Sequence, residues 1–216
     1  MGGLFSSTEE PSDPYFSFSS VVTYIPLSEY DSEYLSVKRM VTNKQNFKID
    51  GIEKIENPFL KKAYELKKEQ KRVNYPYCEE RLLFHGTTRA NVDAICKFNF
   101  DWRLCKAHKY GKGVSFSPNS TYASCYSEKN VHNKVMIVAK VLIGRSCYGN
   151  EFMTLPDDGC DTSQKGVEAI VVVKYEDNEF LPVYKIKYHL IRENVGRRNH
   201  NRGPRVVNNY DFLIYD

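Results

Sequence analysis

The segment Phe84-His85-Gly86-Thr87-Thr88 combines a histidine, a glycine and two hydroxyl side chains at the end of an apolar run. Gly86 has no Cβ, so a flat ligand can approach its backbone N–H and C=O closely. A primary amide offers one acceptor and two donors, which a single exposed peptide unit can bind. The alternative is a buried histidine at a strand-to-turn corner, and this segment alone favours that alternative.

A second segment, Tyr110-Gly111-Lys112-Gly113-Val114-Ser115-Phe116, places two glycines between aromatic side chains. It is followed by Pro118 and by a short predicted helix that carries Tyr122, Cys125 and Tyr126. A Gly-x-Gly pair is a weak signal for a phosphate loop, and neither the Walker nor the Rossmann spacing is present. By itself this segment predicts a tight turn into a strand.

Taken together, the two segments and the tyrosine-bearing helix resemble the catalytic domain of the poly(ADP-ribose) polymerase superfamily. The resemblance is greatest to the mono-ADP-ribosylating members with zinc-finger or WWE partner domains, and it covers nearly all of residues 23–195. It extends to Asn57-Pro58-Phe59-Leu60, Asn99-Phe100-Asp101-Trp102-Arg103, Val141-Leu142-Ile143-Gly144 and Pro182-Val183-Tyr184. It implies split antiparallel β-sheets with flanking helices, the diphtheria-toxin-like ADP-ribosyltransferase fold, with the substrate NAD+ in a cleft between the sheets.

The resemblance also implies roles for individual residues. His85 would hydrogen-bond the 2′-hydroxyl of the nicotinamide ribose, Gly86 would bind the carboxamide through its backbone, and Tyr126 would stack on the nicotinamide ring. The other residues expected to contact NAD+ are Thr87, Gly113 and Phe116 and, from the loop that would cover the adenosine side, Arg103, His108 and Tyr110.

Cleavage of the bond between nicotinamide and ribose creates an oxocarbenium-like centre, so catalysis would rest on orientation and charge stabilisation. Polymer-forming members of the family add a glutamate that positions the acceptor hydroxyl. In the matching segment, residues 168–173, this position falls on Ile170 or Val171, and we predict Ile170. Glu168 would take the role only with a three-residue insertion in the hairpin. An apolar residue here implies transfer of a single ADP-ribose unit to a protein acceptor.

Two positions depart from the family pattern. The tyrosine expected in Gly-Lys-Gly-x-Tyr-Phe is Ser115, and the serine expected to donate to the carboxamide is Ala123. Each loss weakens NAD+ binding by about 0.5–1.5 kcal/mol. Two hypotheses follow. The first is an NAD+-dependent mono-ADP-ribosyltransferase with His85, Ser115 and Ile170 as its catalytic positions, and the second is a catalytically silent interaction module of the same fold.

Length and composition indicate what kind of protein carries these residues. The 216 residues suit one domain, and 41% hydrophobic with 27% charged residues is typical of a globular chain. A net charge of +4 is too small to indicate a nucleic-acid-binding protein, and we do not expect this protein to bind nucleic acid. The arginine-rich tail could bind RNA or acidic lipid, but we favour a solvated extension.

The hydrophobic pattern predicts an α+β domain. A helix after residues 31–32 would bury Tyr34, Val37 and Val41, and the pair Asn57-Pro58 would start a second helix. In that second helix, the predicted apolar stripe is Phe59, Ala63 and Leu66, and the predicted solvated face is the charge run through Lys71.

Strands are predicted at 47–49, 82–85, 135–143, 169–173 and around 184–188, the last two paired across the turn 176–178. Short turns and few helical crossovers favour antiparallel pairing.

The two ends of the chain are predicted to lie outside the domain, as a mobile leader (1–22) and a basic tail (196–216). Residues 1–6, Met-Gly-Gly-Leu-Phe-Ser, fit the pattern for myristoylation at Gly2, and an unmodified N-terminus is the alternative. A single myristoyl chain would give weak, reversible membrane association.

Six cysteines without a recognisable signal peptide predict reduced thiols and a cytoplasmic location, with the nucleus left open. Cys105 and His108 have the spacing of half a zinc site, but no second half follows, so we predict no metal.

Overall fold

The computed structural model describes residues 22–42, 47–105, 108–129 and 131–191. Its strands are β1 (Thr23–Pro26), β2 (Phe47–Glu56), β3 (Glu79–Gly86), β4 (Val114–Phe116), β5 (Lys134–Ile143), β6 (Ser146–Tyr148), β7 (Thr162–Gln164), β8 (Val172–Lys174) and β9 (Phe180–Leu190). Its helices are α1 (Ser32–Thr42), α2 (Pro58–Asn74), α3 (Arg89–Phe98) and α4 (Ser120–Ser124), with a 3₁₀ turn at Trp102–Leu104. The predictions for Gly2, for nearly all of the leader and for the basic tail lie outside the described residues.

Two sheets frame the described chain. A five-stranded antiparallel sheet has the order β1-β2-β9-β5-β3, and a four-stranded sheet has the order β4-β8-β7-β6. The sheets meet where Phe84 and Ser117 exchange backbone hydrogen bonds of 2.7 and 2.9 Å. The predicted α+β class with split sheets is confirmed. One pairing differs, because β6 and β7 run parallel, and the long connection over residues 149–161 provides the crossover that this requires.

The core is organised around β5, which lies between β3 and β9 and is buried on both faces. Ile137, Ala139 and Val141 pack on the side of α3, whereas Met136 and Val138 pack on the side of α1. Burial on both faces explains why this strand reads as a continuous apolar run without alternation. The predicted α1 face is confirmed, since its three apolar residues are buried in the second of these clusters.

Helix α2 begins as predicted but presents a different face to the core. The Asn57 side chain accepts from the backbone N–H of Phe59 and Leu60, and its amide donates to the carbonyls that end α3. The predicted apolar stripe is wrong, because Phe59 is 44% and Leu66 is 70% exposed, while Tyr64 and Lys71 are buried. The sequence pattern missed this face because it counted Lys71 as a solvated charge.

Lys71 belongs to a cluster of four buried charges, which we call the buried charge cluster: Lys71, Asp161, Lys174 and Glu179. Lys174 Nζ lies 3.0 Å from Asp161 Oδ2 and 2.9 Å from Glu179 Oε2, and Lys71 contacts both carboxylates. Burial would raise the pKa of Asp161, but Lys174 and Lys71 outweigh that effect and hold it below its usual range. The cluster joins α2, the start of β7, β8 and the segment before β9, and so links both sheets.

The predicted hairpin across residues 176–178 is wrong. Strand β8 pairs with β4 and β7, whereas β9 pairs with β2 and β5, so this turn carries the chain from one sheet to the other. The predicted strand at 169–173 is also displaced: β8 begins at Val172, and Ala169 lies in a turn with φ 46°.

We predict that Lys71→Met lowers the free energy of unfolding by about 3–5 kcal/mol, because it leaves an uncompensated buried carboxylate. The exposed Lys61→Met on the same helix is the control and should change stability by less than about 0.5 kcal/mol. Urea denaturation measures both variants, and the double variant Lys71→Met/Glu179→Leu should recover part of the loss. Equal effects of the two single replacements would contradict a stabilising role for the cluster.

Candidate active site

A cavity of about 1200 Å³ opens where β3 of the larger sheet meets β4 of the smaller one. Its wall is formed by the end of β3, one side of α3, the 3₁₀ turn, β4, α4 and the turn at 176–178. Every element that carries a predicted NAD+-binding residue therefore reaches the same space.

His85 is the second-last residue of β3 and lies in the cavity wall. Its Nδ1 lies 3.0 Å from the Ser115 carbonyl oxygen, and its ring packs edge-on against Phe100 with the centroids 4.9 Å apart. A carbonyl can only accept, so Nδ1 carries the proton and Nε2 of the neutral ring is left as an acceptor. Burial lowers the pKa of His85, although the carbonyl bond opposes this. The neutral ring can thus accept a hydrogen bond from a hydroxyl group.

Gly86 directs its backbone toward the same cavity. Phe84 uses its N–H and C=O to bind Ser117 on the side of β3 away from β5, and strand residues two positions apart direct these groups to the same side. A Cβ on Gly86 would lie 1.7 Å from the Ala123 carbonyl oxygen, so the strand touches the backbone of α4. Glycine is therefore needed for packing as well as for an exposed peptide unit.

Tyr126 follows α4 and is held by two contacts. Its N–H donates to the Ala123 carbonyl at 3.1 Å, and its hydroxyl lies 3.0 Å from that of Tyr122. Helix α4 is capped by the Asn119 side chain, which accepts from the N–H groups of Thr121 and Tyr122. The Tyr126 ring lies in the cavity wall with 54% of the residue exposed, which leaves a face available for stacking.

The two candidate positions for the family's glutamate, Ile170 and Val171, are placed differently by the structure. Ser115 pairs with Val173 across β4 and β8, and Val171, two residues earlier, lies in the cavity wall with Ser115. Ile170 is not part of that wall, and its carbonyl accepts from Ser117 Oγ at 2.7 Å. The turn that precedes β8 changes which residue faces the cavity. Of the two candidates, Val171 is the one that lines the cavity together with Ser115, and its role stays a prediction.

The remaining predicted contacts are placed as follows. Thr87 is buried in the wall and accepts from Asn91 at 3.3 Å, and Phe116 packs against Phe100 with centroids 5.1 Å apart. A Cβ on Gly113 would lie 2.3 Å from the Lys174 carbonyl oxygen, so this glycine permits close packing of β4 on β8. Their roles toward NAD+ stay predictions.

Arg103, His108 and Tyr110 all lie in the cavity wall, and their role on the adenosine side stays a prediction. The Arg103 guanidinium lies 2.8 Å from Asp101 Oδ1 and 2.6 Å from Asp177 Oδ2. Sequence reasoning missed Asp177. Its only signal in the sequence is its position in the 176–178 turn, for which the pattern predicts a hairpin.

Within the described ranges, no group of three or more His, Cys, Asp or Glu side chains is arranged to hold a metal ion. All six cysteines lie in the described part of the chain and are free thiols. None of the described helices has the length and apolar character that a membrane crossing needs.

Residues 28–215 match the model of the poly(ADP-ribose) polymerase catalytic domain. The chain belongs to this family. It is similar to mouse protein mono-ADP-ribosyltransferase PARP12, with 34% identity over 179 residues, and to human protein mono-ADP-ribosyltransferase PARP11, with 29% identity over 201 residues. It is also similar to mouse zinc finger CCCH-type antiviral protein 1, with 35% identity over 114 residues.

The match with PARP12 covers 76% of this chain and 25% of the relative. The match with PARP11 covers 76% of this chain and 59% of the relative. The match with zinc finger CCCH-type antiviral protein 1 covers 51% of this chain and 11% of the relative. The chain thus spans about a quarter of the length of PARP12 and about three fifths of PARP11. The likeness to poly(ADP-ribose) polymerase catalytic domains concerns the region that holds the cavity.

We predict that Gly86→Ala destabilises the domain by about 1–3 kcal/mol and displaces α4 with Tyr126, because the added methyl group overlaps the Ala123 carbonyl. Gly51→Ala is the matched control, since a Cβ there meets no atom within 4 Å. Thermal unfolding and calorimetric titration with nicotinamide measure the two effects. A Gly86→Ala protein as stable as the control would contradict the close approach of β3 to α4.

Proposed function

We propose that this domain is an NAD+-dependent mono-ADP-ribosyltransferase, which transfers a single ADP-ribose unit to a protein acceptor and releases nicotinamide. The observation that carries the proposal is the meeting of His85, Gly86 and Tyr126 on one wall of the cavity. They supply a neutral ring acceptor, an open peptide unit and an exposed aromatic face. Together these match the hydroxyl, carboxamide and ring of a nicotinamide riboside.

Each residue has a defined part in the reaction. The Gly86 peptide unit would hold the carboxamide, Tyr126 would stack on the ring, and His85 Nε2 would accept from the ribose 2′-hydroxyl. This fixes the angle between the ring and the ribose, and the bond between them is the one that breaks. Because the leaving nicotinamide is neutral, catalysis depends on this orientation and needs no proton transfer to the leaving group.

The charges of the wall support transfer of one unit. Asp101 and Asp177 are the only carboxylates in the described lining, and both bind Arg103 on the adenosine side. Where polymer-forming relatives have a tyrosine and a glutamate near the bond that breaks, this chain would have Ser115 and Val171, both in the cavity wall. A hydroxyl of a bound ADP-ribose would find no carboxylate there to orient it, which disfavours chain growth.

We predict that the protein, incubated with millimolar NAD+, gains the mass of ADP-ribose or labels an added protein acceptor. His85→Ala should slow this by about tenfold or more, because it removes both the ring acceptor and the packing on Phe100. The exposed His132→Ala is the control and should retain activity. Intact-mass spectrometry measures the product.

The two hypotheses give different results in this experiment. A folded protein that gains no mass although calorimetry shows NAD+ binding would be the silent interaction module. A domain that neither binds nor turns over NAD+ would contradict the proposed site as well as the activity.

We also propose a cytoplasmic location, with myristoylation of Gly2 providing weak, reversible membrane attachment. The support is the sequence pattern of residues 1–6. Co-expression with an N-myristoyltransferase should add one acyl chain to the protein and increase its recovery with neutral lipid vesicles. Gly2→Ala should abolish both effects. Absence of acylation in the parent chain would refute this proposal and leave the proposed activity untouched.

A further inference from the structure

Two cysteines lie side by side at the ends of the connection between β6 and β7. Cys147 is the middle residue of β6, and Cys160 lies just before the start of β7, with residues 148–159 between them. The parallel pairing of β6 with β7 closes this connection into a loop, and the Cys160 thiol is a hydrogen-bonding neighbour of the Cys147 thiol. Both are partly buried free thiols. The fold thus brings two sulfur atoms together without joining them.

The two thiols differ in their surroundings. Burial and then the neighbouring Cys147 thiol raise the pKa of Cys160, although Arg145 opposes this, so less of Cys160 is the reactive thiolate at neutral pH. Cys160 is not part of the described lining of a small surface cavity of about 380 Å³, whereas Cys147 is. The residues of that lining are Ser146, Cys147, Tyr148, Asp157 and Gln164. A small solute therefore reaches Cys147 first.

We propose that Cys147 and Cys160 form a redox modification site, in which a peroxide oxidises Cys147 and Cys160 then closes an intramolecular disulfide. An accessible thiol with a second thiol beside it has the arrangement that such a reaction needs, because the second thiol captures the first product before further oxidation. Disulfides that form in a reducing compartment are usually transient and redox-sensing. The pair is therefore compatible with reduced thiols as the resting state of the chain.

The atoms and electrons of the two steps balance. The Cys147 thiolate attacks one oxygen of hydrogen peroxide, the O–O bond breaks, and the hydroxide that leaves takes up a proton to become water. The product is a sulfenic acid. Cys160 attacks the sulfenic sulfur, an S–S bond forms, and the sulfenic oxygen leaves as a second water. In total the two thiols lose two electrons and two protons, which the peroxide accepts, and an added dithiol reverses the bond by exchange.

The disulfide would close a covalent ring, residues 147–160, that contacts the wall of the larger cavity. Within this ring, the Met153 carbonyl accepts from the Lys112 N–H at 2.8 Å. Beside it, Ser163 of β7 donates through Oγ to the Tyr110 carbonyl at 2.5 Å, and Tyr110 belongs to the wall of the larger cavity. Oxidation would therefore restrain the connection between β6 and β7 together with the loop that carries Tyr110 and Lys112.

The test treats the reduced full chain with hydrogen peroxide under native conditions and follows it by intact mass and by peptide mapping after alkylation. We expect the protein to lose the mass of two hydrogen atoms, with the bond mapped to Cys147 and Cys160, and to regain that mass with dithiothreitol. Cys160→Ser should instead accumulate a sulfenic acid at Cys147 that dimedone traps, whereas Cys147→Ser should give at least about tenfold less adduct at Cys160. Cys125→Ser removes an exposed thiol outside the pair and is the matched control, which should form the disulfide at the parent rate.

Thermal unfolding and amide hydrogen exchange provide a second readout, which needs no trapping reagent. The oxidised parent should unfold about 5–10 °C above the reduced parent, because the bond constrains the unfolded chain. The amides of residues 149–161 and of Lys112 should exchange at least about tenfold more slowly in the oxidised form. Peroxide treatment of Cys147→Ser should produce neither change.

These results separate the modification site from the proposed enzymatic activity, because none of the readouts uses NAD+. A protein that forms the disulfide but turns over no NAD+ would support the site and contradict only the proposed function. The site is refuted if peroxide leaves both thiols free, or if the bond forms between other cysteines or between two chains. Oxidation of Cys147 to a sulfinic acid, without loss of the two hydrogen atoms, would also refute it.

Discussion

The arrangement of the two sheets depends on four charges that are buried between them. Lys71 of α2 and Lys174 of β8 share the carboxylates of Asp161 and Glu179, and all four side chains are at most 5% exposed. Removing such groups from water is costly, and the cost is offset only in the one geometry that pairs every charge. The cluster therefore fixes the connection between β8 and β9, which joins the two sheets. The position of the cavity between the sheets follows from this connection.

A second constraint operates at the mouth of that cavity. Strand β3 and helix α4 approach so closely that the Ala123 carbonyl occupies the space of a Gly86 side chain. The same carbonyl accepts from the Tyr126 N–H, so one peptide group fixes both the open backbone of β3 and the position of the stacking ring. His85 is set from the other direction, by the Ser115 carbonyl of β4. The site is therefore assembled from backbone groups, which tolerate changes of side chain at Ser115 and Ala123.

The parts of this picture that could be predicted from the sequence are those that depend on neighbours along the chain. The cap at Asn57, the buried face of α1 and the long apolar run of β5 follow from local pattern. So does the class of the fold, once the glycine segments are matched to a family. What could not be predicted depends on charges and turns that only tertiary contacts explain. The sequence pattern predicts that Lys71 is solvated because its partners are about a hundred residues away along the chain. Side-chain periodicity gives no information on contacts at such a separation. The hairpin predicted at 176–178 is wrong for the same reason, because the strands that pair with β8 and β9 are distant in sequence and belong to different sheets. Counting residues along the chain favours Ile170, but it cannot detect the turn with positive φ at Ala169, after which Val171 is the residue in the cavity wall.

The composition of the cavity wall differs from one side to the other. Ser115 and Val171 contribute neither an aromatic face nor a charge to the cavity wall, and the aromatic surface of this part of the wall comes from Tyr110, Tyr122 and Tyr126. The two carboxylates of the described lining, Asp101 and Asp177, both pair with Arg103. Two separate contacts hold the parts of this wall in place: the β3–α4 contact fixes Gly86 and Tyr126, and the turn between β7 and β8 fixes Val171. A domain built in this way can change the wall at Val171 through a turn without disturbing the packed backbone contact between β3 and α4.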